Sequence, residues 1–183
     1  MDTSPPLYTI ACLQVDTAAQ AFIDGLRRQH DPQVDVVAPH FTLVFGCSAV
    51  SQADYVAHVS AMAQGTPAIR FHCRYAMLHA GGPGGMAHVF LVPDEGHSAI
   101  ARLHDRLYTG VLAPHLQLEM PYVPHITVAA TRDVAAAKAL CDALNARGID
   151  IAGRLQTLTV GALQHGRLEA LEELPLAQAP QAS

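Results

Sequence analysis

Charge is scarce in this sequence, and what there is leans negative. Charged side chains make up 15% of the chain and the net charge is −5 with histidine neutral. Proteins held to long duplex nucleic acid by charge are basic, so that class is excluded, while a local basic pocket for one phosphate is not. Of the four cysteines, Cys12, Cys47, Cys73 and Cys141, no two are spaced as a CxxC pair, and no signal peptide precedes them. Reduced thiols in a cytoplasmic protein are the simpler reading. No apolar run reaches the ~18 residues of a membrane span. Tryptophan is absent, which carries no functional meaning by itself. Neither HExxH nor a close His-x-His-x-His run occurs, so the 11 histidines do not read as a zinc site or as a histidine-triad hydrolase. No metal or cofactor is expected. Half of the residues are hydrophobic, enough for a sizeable core. Residues 1–183 then read as one bilobal domain, a monomer, with frayed ends at 1–6 and 175–183.

What the chain does have is one pattern twice. Pro39-His40-Phe41-Thr42-Leu43-Val44 and Pro124-His125-Ile126-Thr127-Val128-Ala129 share the order proline, histidine, apolar residue, threonine. A third His-x-Ser/Thr match, His58-Val59-Ser60, lies in a stretch that reads as helix and lacks the proline. Side chains alternate along a strand. His40 and Thr42 therefore share one face and Phe41 and Leu43 the other, and His125 and Thr127 share a face opposite Ile126 and Val128. Each copy offers an imidazole and a hydroxyl, anchored by apolar residues behind.

The order of elements repeats with the motif. Strands are expected over 8–15, 34–45, 69–80, 86–92, 120–131, 149–163 and 167–174, and helices over 18–30, 51–64, 94–112 and 133–147. Pro39 belongs at an edge, a bulge or a strand start, because proline cannot donate a ladder hydrogen bond. The glycine run 81–85 is a turn. It is not a phosphate loop, since a strand rather than a helix follows it. The fold class is α+β: two pseudo-symmetric lobes of mostly antiparallel sheet, helices on the outer faces, and a central cleft carrying both His-x-Thr motifs.

Two imidazoles facing each other across a cleft suit in-line displacement at a phosphodiester. One takes a proton from the attacking oxygen and the other gives one to the leaving oxygen. The hydroxyls donate to the non-bridging oxygens as charge builds there. Tyr122, His88, Phe90 and Arg132 are further candidates for binding substrate. His88 and Phe90 share a face of a strand that could floor the cleft, where Phe90 could stack on a base. Packing is the competing reading for Tyr122, His88 and Phe90, and simple surface exposure for Arg132. His97 and His104, seven apart on a helix, read as a solvated face, and Cys73 beside His72 shows nothing that would activate its thiol.

With PHFTLVFG at 39–46 and PHITVAA at 124–130, and the element order over 7–174, the chain resembles the 2H phosphoesterase superfamily. That group contains the 2'-5' RNA ligase-like proteins and the RNA 2',3'-cyclic phosphodiesterases. The resemblance implies His40, Thr42, His125 and Thr127 as the catalytic set. It also implies opening of 2',3'-cyclic phosphates to 2'-phosphates, with reversible 2'-5' ligation in some members. The partner it implies is a cyclic-phosphate nucleotide or an RNA terminus. Many members carry an arginine shortly after the second motif. Here that place holds Ala129-Ala130, with Arg132 two residues on, which favours small cyclic phosphates. The alternative is a module on the same fold that binds a nucleotide phosphate without turnover.

Overall fold

The computed structural model describes residues 5–81, 83–119 and 121–177. The elements in chain order are β1 (Leu7–Cys12), β2 (Gln14–Val15), α1 (Thr17–His30), β3 (His40–Cys47), α2 (Gln52–Gln64), β4 (Ile69–His79), β5 (Ala87–Glu95), α3 (His97–Leu107), β6 (Ile126–Thr131), α4 (Val134–Arg147), β7 (Ile151–Leu155), β8 (Thr157–Gln164) and β9 (Arg167–Pro175). Helix starts follow the capping residues: Asp16 accepts from Ala19 N–H at 2.7 Å, Ser51 from Asp54 N–H at 3.2 Å and Asp133 from Ala136 N–H at 2.9 Å. The first helix stops where Asp31 meets Pro32, because the residue before a proline is forced out of helical geometry.

The strands form two antiparallel sheets, ordered β3-β1-β8-β9 and β2-β7-β4-β5-β6. Each His-x-Thr strand is an edge: β3 of the first sheet, β6 of the second. The expected two-lobed α+β architecture is present, but the lobes are not successive halves of the chain. β4 and β5, from the first half, pair with β7 and β6 of the second half, while β8 and β9 return to complete the sheet that β1 and β3 began. The helices are exchanged in the same way. α1 packs against β6 and α3 against β3; α4 covers the second sheet and α2 lies on β8 and β9. One apolar core runs through both sheets, with Phe41 of β3 set edge-on to Phe71 of β4 at 5.2 Å. Burying a side chain such as Phe41, fully enclosed here, is worth roughly 3 kcal/mol.

Several expected boundaries move. The first motif strand begins at His40, not at 34, because 34–37 are turns tied back by Val36 N–H to Gln33 O. The second begins at Ile126, not at 120. Residues 121–125 are not strand, and 120 lies outside the described residues, as does 82 in the glycine turn. The helix expected over 94–112 is α3 followed by a separate 3₁₀ turn at Gly110–His115, since Gly110 takes φ +52°. Asp94 and Glu95 remain in β5, and Gly96 makes the turn into α3. A Cβ there would lie 2.3 Å from the Arg70 carbonyl oxygen, so only glycine fits. The strand expected over 149–163 is two strands that change sheet at Gln156. The chain does not fray at 175. Leu176 N–H bonds Gln156 O, and Ala177 N–H bonds Thr66 O, each at 2.8 Å. Residues 1–4 and 178–183 lie outside the described residues. Among the described residues no helix is long and apolar enough to cross a membrane, which says nothing of a β-barrel.

Candidate active site

The two proline-histidine steps fold alike. His40 Nδ1 lies 2.8 Å from the carbonyl oxygen of Ala38, and His125 Nδ1 lies 2.6 Å from that of Val123, two residues back in each case. The intervening proline explains both contacts. It holds the residue before it extended and so aims that residue's carbonyl at the ring. A carbonyl only accepts, so Nδ1 carries the proton and donates. The neutral ring then has its lone pair on Nε2. In His40 that nitrogen accepts from the Thr42 hydroxyl at 3.1 Å. His125 Nε2 and the Thr127 hydroxyl have no protein partner among the described residues and are not buried.

The motif strands approach each other at the sheet edges. His40 is close enough to depress the His125 pKa by its charge. Burial is the largest cause of that depression and pushes His125 down to about 4. The Val123 carbonyl opposes it, and His79 and His88 add to it. Burial also lowers His40, against the pull of the Ala38 carbonyl. Arg27 adds to the lowering and Asp31 opposes it. These two form a buried ion pair at 2.8 Å, each side chain 3% exposed. Asp31 Oδ1 also accepts from Gln33 N–H at 2.9 Å, and Arg27 donates to Gln33 O at 3.1 Å. The turn that leads into the first motif is thereby locked.

Behind His125 stands Phe90, whose ring stacks on the imidazole at 3.7 Å between centroids and 20° between planes. On the same face of the second sheet, His79 and His88 pack against Phe90 at 5.5 and 5.7 Å. Phe90 is 7% exposed. This is the packing reading of Phe90: its ring stacks with imidazoles, and it serves as the backing of His125. Tyr122 also takes a packing role. Its hydroxyl donates to the Thr42 carbonyl oxygen at 2.9 Å, and its ring lies parallel to His104 at 3.6 Å. His104 Nδ1 in turn donates to Leu43 O at 2.8 Å, and Tyr108 accepts from Phe45 N–H at 3.0 Å. β3 is an edge strand, and these three side chains bond to its backbone groups from outside the sheet. Tyr122 thus ties the approach to the second motif onto the strand of the first.

His104 is only 3% exposed, so the solvated face expected for it is wrong. His88 stands across from Ala130 in the β5–β6 ladder. Arg132 is exposed, past the end of β6, with no ion pair or hydrogen bond among the described residues linking it to the histidines. Burial pushes the Cys73 thiol up to about 12, in keeping with an inert core cysteine. The expected site residues omit Arg27, Asp31, His79, His104 and Tyr108. The i,i+4 spacing of Arg27 and Asp31 is readable as a pair, but its burial is not. Among the described residues no group of three or more His, Cys, Asp or Glu side chains is placed to hold a metal ion.

A family model described as 2'-5' RNA ligase superfamily matches residues 15–167. Among solved structures the fold is similar to Escherichia coli LigT complexed with 3'-AMP. That likeness has TM-score 0.64 and 18% identity, and covers 96% of this chain and 99% of that one. It is also similar to TT0787 of Thermus thermophilus (TM-score 0.61, 14% identity, 94% and 98% covered). Usb1 of Kluyveromyces marxianus is a third (TM-score 0.58, 8% identity, 95% and 99% covered). At these identities the likeness is one of fold. The comparison with curated proteins gave no match.

Proposed function

Because the chain belongs to the 2'-5' RNA ligase superfamily, we propose that it is a metal-independent phosphodiesterase opening 2',3'-cyclic phosphates of small nucleotides or RNA ends. Family and fold support a function of the phosphodiesterase or ligase type. The finer reading rests on one observation above all. The two imidazoles, at the edges of two different sheets, are held by the same Nδ1–H to carbonyl contact, which turns Nε2 of each into the working atom.

In the hydrolytic direction, water attacks phosphorus opposite the departing 3' oxygen. One neutral Nε2 takes the water's proton. The other ring, protonated, gives its Nε2 proton to the 3' oxygen, and a 2'-phosphate remains. The Thr42 and Thr127 hydroxyls donate to the non-bridging oxygens. Thr42 donates to His40 Nε2 while that ring is neutral. Once Nε2 is protonated it no longer accepts, and the hydroxyl proton is released toward the phosphate. Run in the same direction with a ribose 5'-hydroxyl in place of water, the same groups join a 2'-5' linkage; run backwards, the 3'-hydroxyl attacks phosphorus, the 5' oxygen leaves and the linkage is split to the cyclic phosphate. LigT was solved with 3'-AMP, a nucleotide of the size proposed for this cleft.

The test is incubation with 2',3'-cyclic AMP, with ³¹P NMR reading the position of the product phosphate. Accumulation of 2'-AMP, lost in His40→Ala, is the expected result. Saturable binding without product would replace this reading with the non-catalytic phosphate-binding module.

A further inference from the structure

The second sheet carries an imidazole pair that the acid–base scheme leaves unused. In the β4–β5 ladder His79 stands opposite His88, and Met77 opposite Phe90. In the β5–β6 ladder Phe90 stands opposite Thr127, and His88 opposite Ala130. The register shift between Val89 and Phe90 leaves Val128 as an extra residue on β6. That bulge is what puts Ala130 on the same face as Thr127, three positions on rather than two or four. His79, His88, Phe90 and Thr127 therefore share the face that carries His125. Ala130, which stands opposite His88, is the smallest side chain in that row.

His88 Nδ1 is the one buried side-chain nitrogen or oxygen without a partner among the described residues. A proton there would be an orphaned buried donor, costlier than an unused lone pair on a ring that keeps its other nitrogen wet. The proton of the neutral ring consequently sits on Nε2, which has no protein partner and is not buried. The tautomer is the reverse of that in His40 and His125. In those rings Nε2 is an acceptor; in His88 it is a donor. The Phe90 ring separates it from His125 by two stackings in series, at 5.7 and 3.7 Å.

We propose that His88 is a phosphate-binding residue, its Nε2–H donating to a non-bridging oxygen of the phosphate held between His40 and His125, on the side of Thr127. The inference rests on the reading of the cleft as a phosphodiester site. It assigns to β5 an oxyanion donor that does not take part in proton transfer. His79, packed against both His88 and Phe90, fixes the ring plane.

Two substitutions separate the donor from the ring. His88→Phe keeps the stacking and removes the N–H; His88→Gln places an amide N–H where Nε2 was. Inorganic phosphate is the probe, titrated by calorimetry and by NMR of the histidine ring protons, alongside kcat/KM on 2',3'-cyclic AMP. A hydrogen bond to a charged group is worth about 10- to 100-fold. His88→Phe is expected to weaken both phosphate binding and kcat/KM by that factor, and His88→Gln to stay within about threefold of the unmodified protein. The pH profile should keep its shape, because no proton is moved. Undiminished phosphate binding in His88→Phe overturns the inference, as does an equal loss in His88→Gln. Should His88→Phe not fold, the His88 ring signals of the unmodified protein decide, since they must move on adding phosphate. Phosphate binding that depends on His88 without turnover of the cyclic nucleotide would sink the catalytic reading and leave this one standing. Turnover indifferent to His88 would do the reverse.

Discussion

Burial holds both motif histidines below the ordinary imidazole range, and this has a consequence for rate. Acid–base catalysis by a pair requires one ring charged and one neutral. With His125 at about 4, only about one molecule in a thousand carries a proton on that ring at pH 7. His40 is also lowered, so less than about a quarter of its rings are charged there. The productive state of the empty enzyme is thus a minority at neutral pH and most populated at mildly acidic pH. Because kcat/KM reports the free enzyme, its profile should be a bell with both limbs below about 6.5 and a fall of about tenfold per pH unit on the alkaline side. The two apparent values belong to the pair, not to either residue. Bound phosphodiester is anionic and favours the charged imidazole. The kcat profile should therefore lie to the alkaline side of the kcat/KM profile. Initial rates on 2',3'-cyclic AMP from pH 4 to 9, at low and saturating substrate, test both parts. A kcat/KM maximum at or above pH 7 would refute the reasoning. So would coincidence of the two profiles.

Other outcomes follow from the same contacts. His40→Ala and His125→Ala should each lower the rate by about 10²- to 10⁴-fold, and the double variant by less than the product, because the rings act together. Tyr122→Phe leaves the Thr42 carbonyl without its donor. Thermal unfolding should show a loss on the order of 1–2 kcal/mol, with kcat falling alongside. Phe90→Leu removes the ring that backs His125. Histidine NMR should then show the His125 pKa moving up from about 4 toward 6.5, since burial is its main cause, and stability should drop by roughly 1–2 kcal/mol. Acid stability has a definite sign. Above pH 6.5 both folded and unfolded chains hold His125 neutral. Below it the unfolded chain takes up a proton that the folded chain refuses until about pH 4. Stability should fall across that window by roughly 3 kcal/mol at most, and His125→Gln should flatten the fall in urea titrations.

How much of this is readable from the letters alone differs from feature to feature. Pro39 and Pro124 carry most of the information. They mark strand starts and, through the residue before each, fix the tautomer of the histidine after each. Alternation assigns Thr42 and Thr127 to the histidine faces. It does not say which strands pair, because pairing is set by partners far along the chain. The exchange of β4 and β8 between sheets is therefore not legible. The strand-like stretch from Ile149 to Leu163 has no proline or glycine at Gln156, where the sheet changes. Pattern alone also overextends the strands: 34–38 and 121–125 are apolar enough for strand, yet they are spent on turns and on holding the ring nitrogens.

His104 shows a signal that is present in the letters but easily weighted wrongly. Counting seven residues from His97 puts the two histidines on one side of α3, and two polar residues on a helix suggest water. Counting from Ile100 gives a different answer. Ile100, Leu103, His104 and Leu107 follow the i, i+3, i+4, i+7 spacing of a core-facing stripe, and all four are buried. The apolar residues define the inward face, and a histidine within that stripe must find a polar partner or remain unsatisfied. It finds Leu43 O, on the strand of the first motif. A histidine inside an apolar helical stripe is thus better read as a bond to a neighbouring edge strand than as a surface residue. His104→Phe, which keeps a ring for Tyr122 to stack on and removes the donor, should lower stability by about 1–2 kcal/mol. His97→Phe should change it by less than about 0.5 kcal/mol. Equal losses in the two variants would show that the edge contact is not what holds β3.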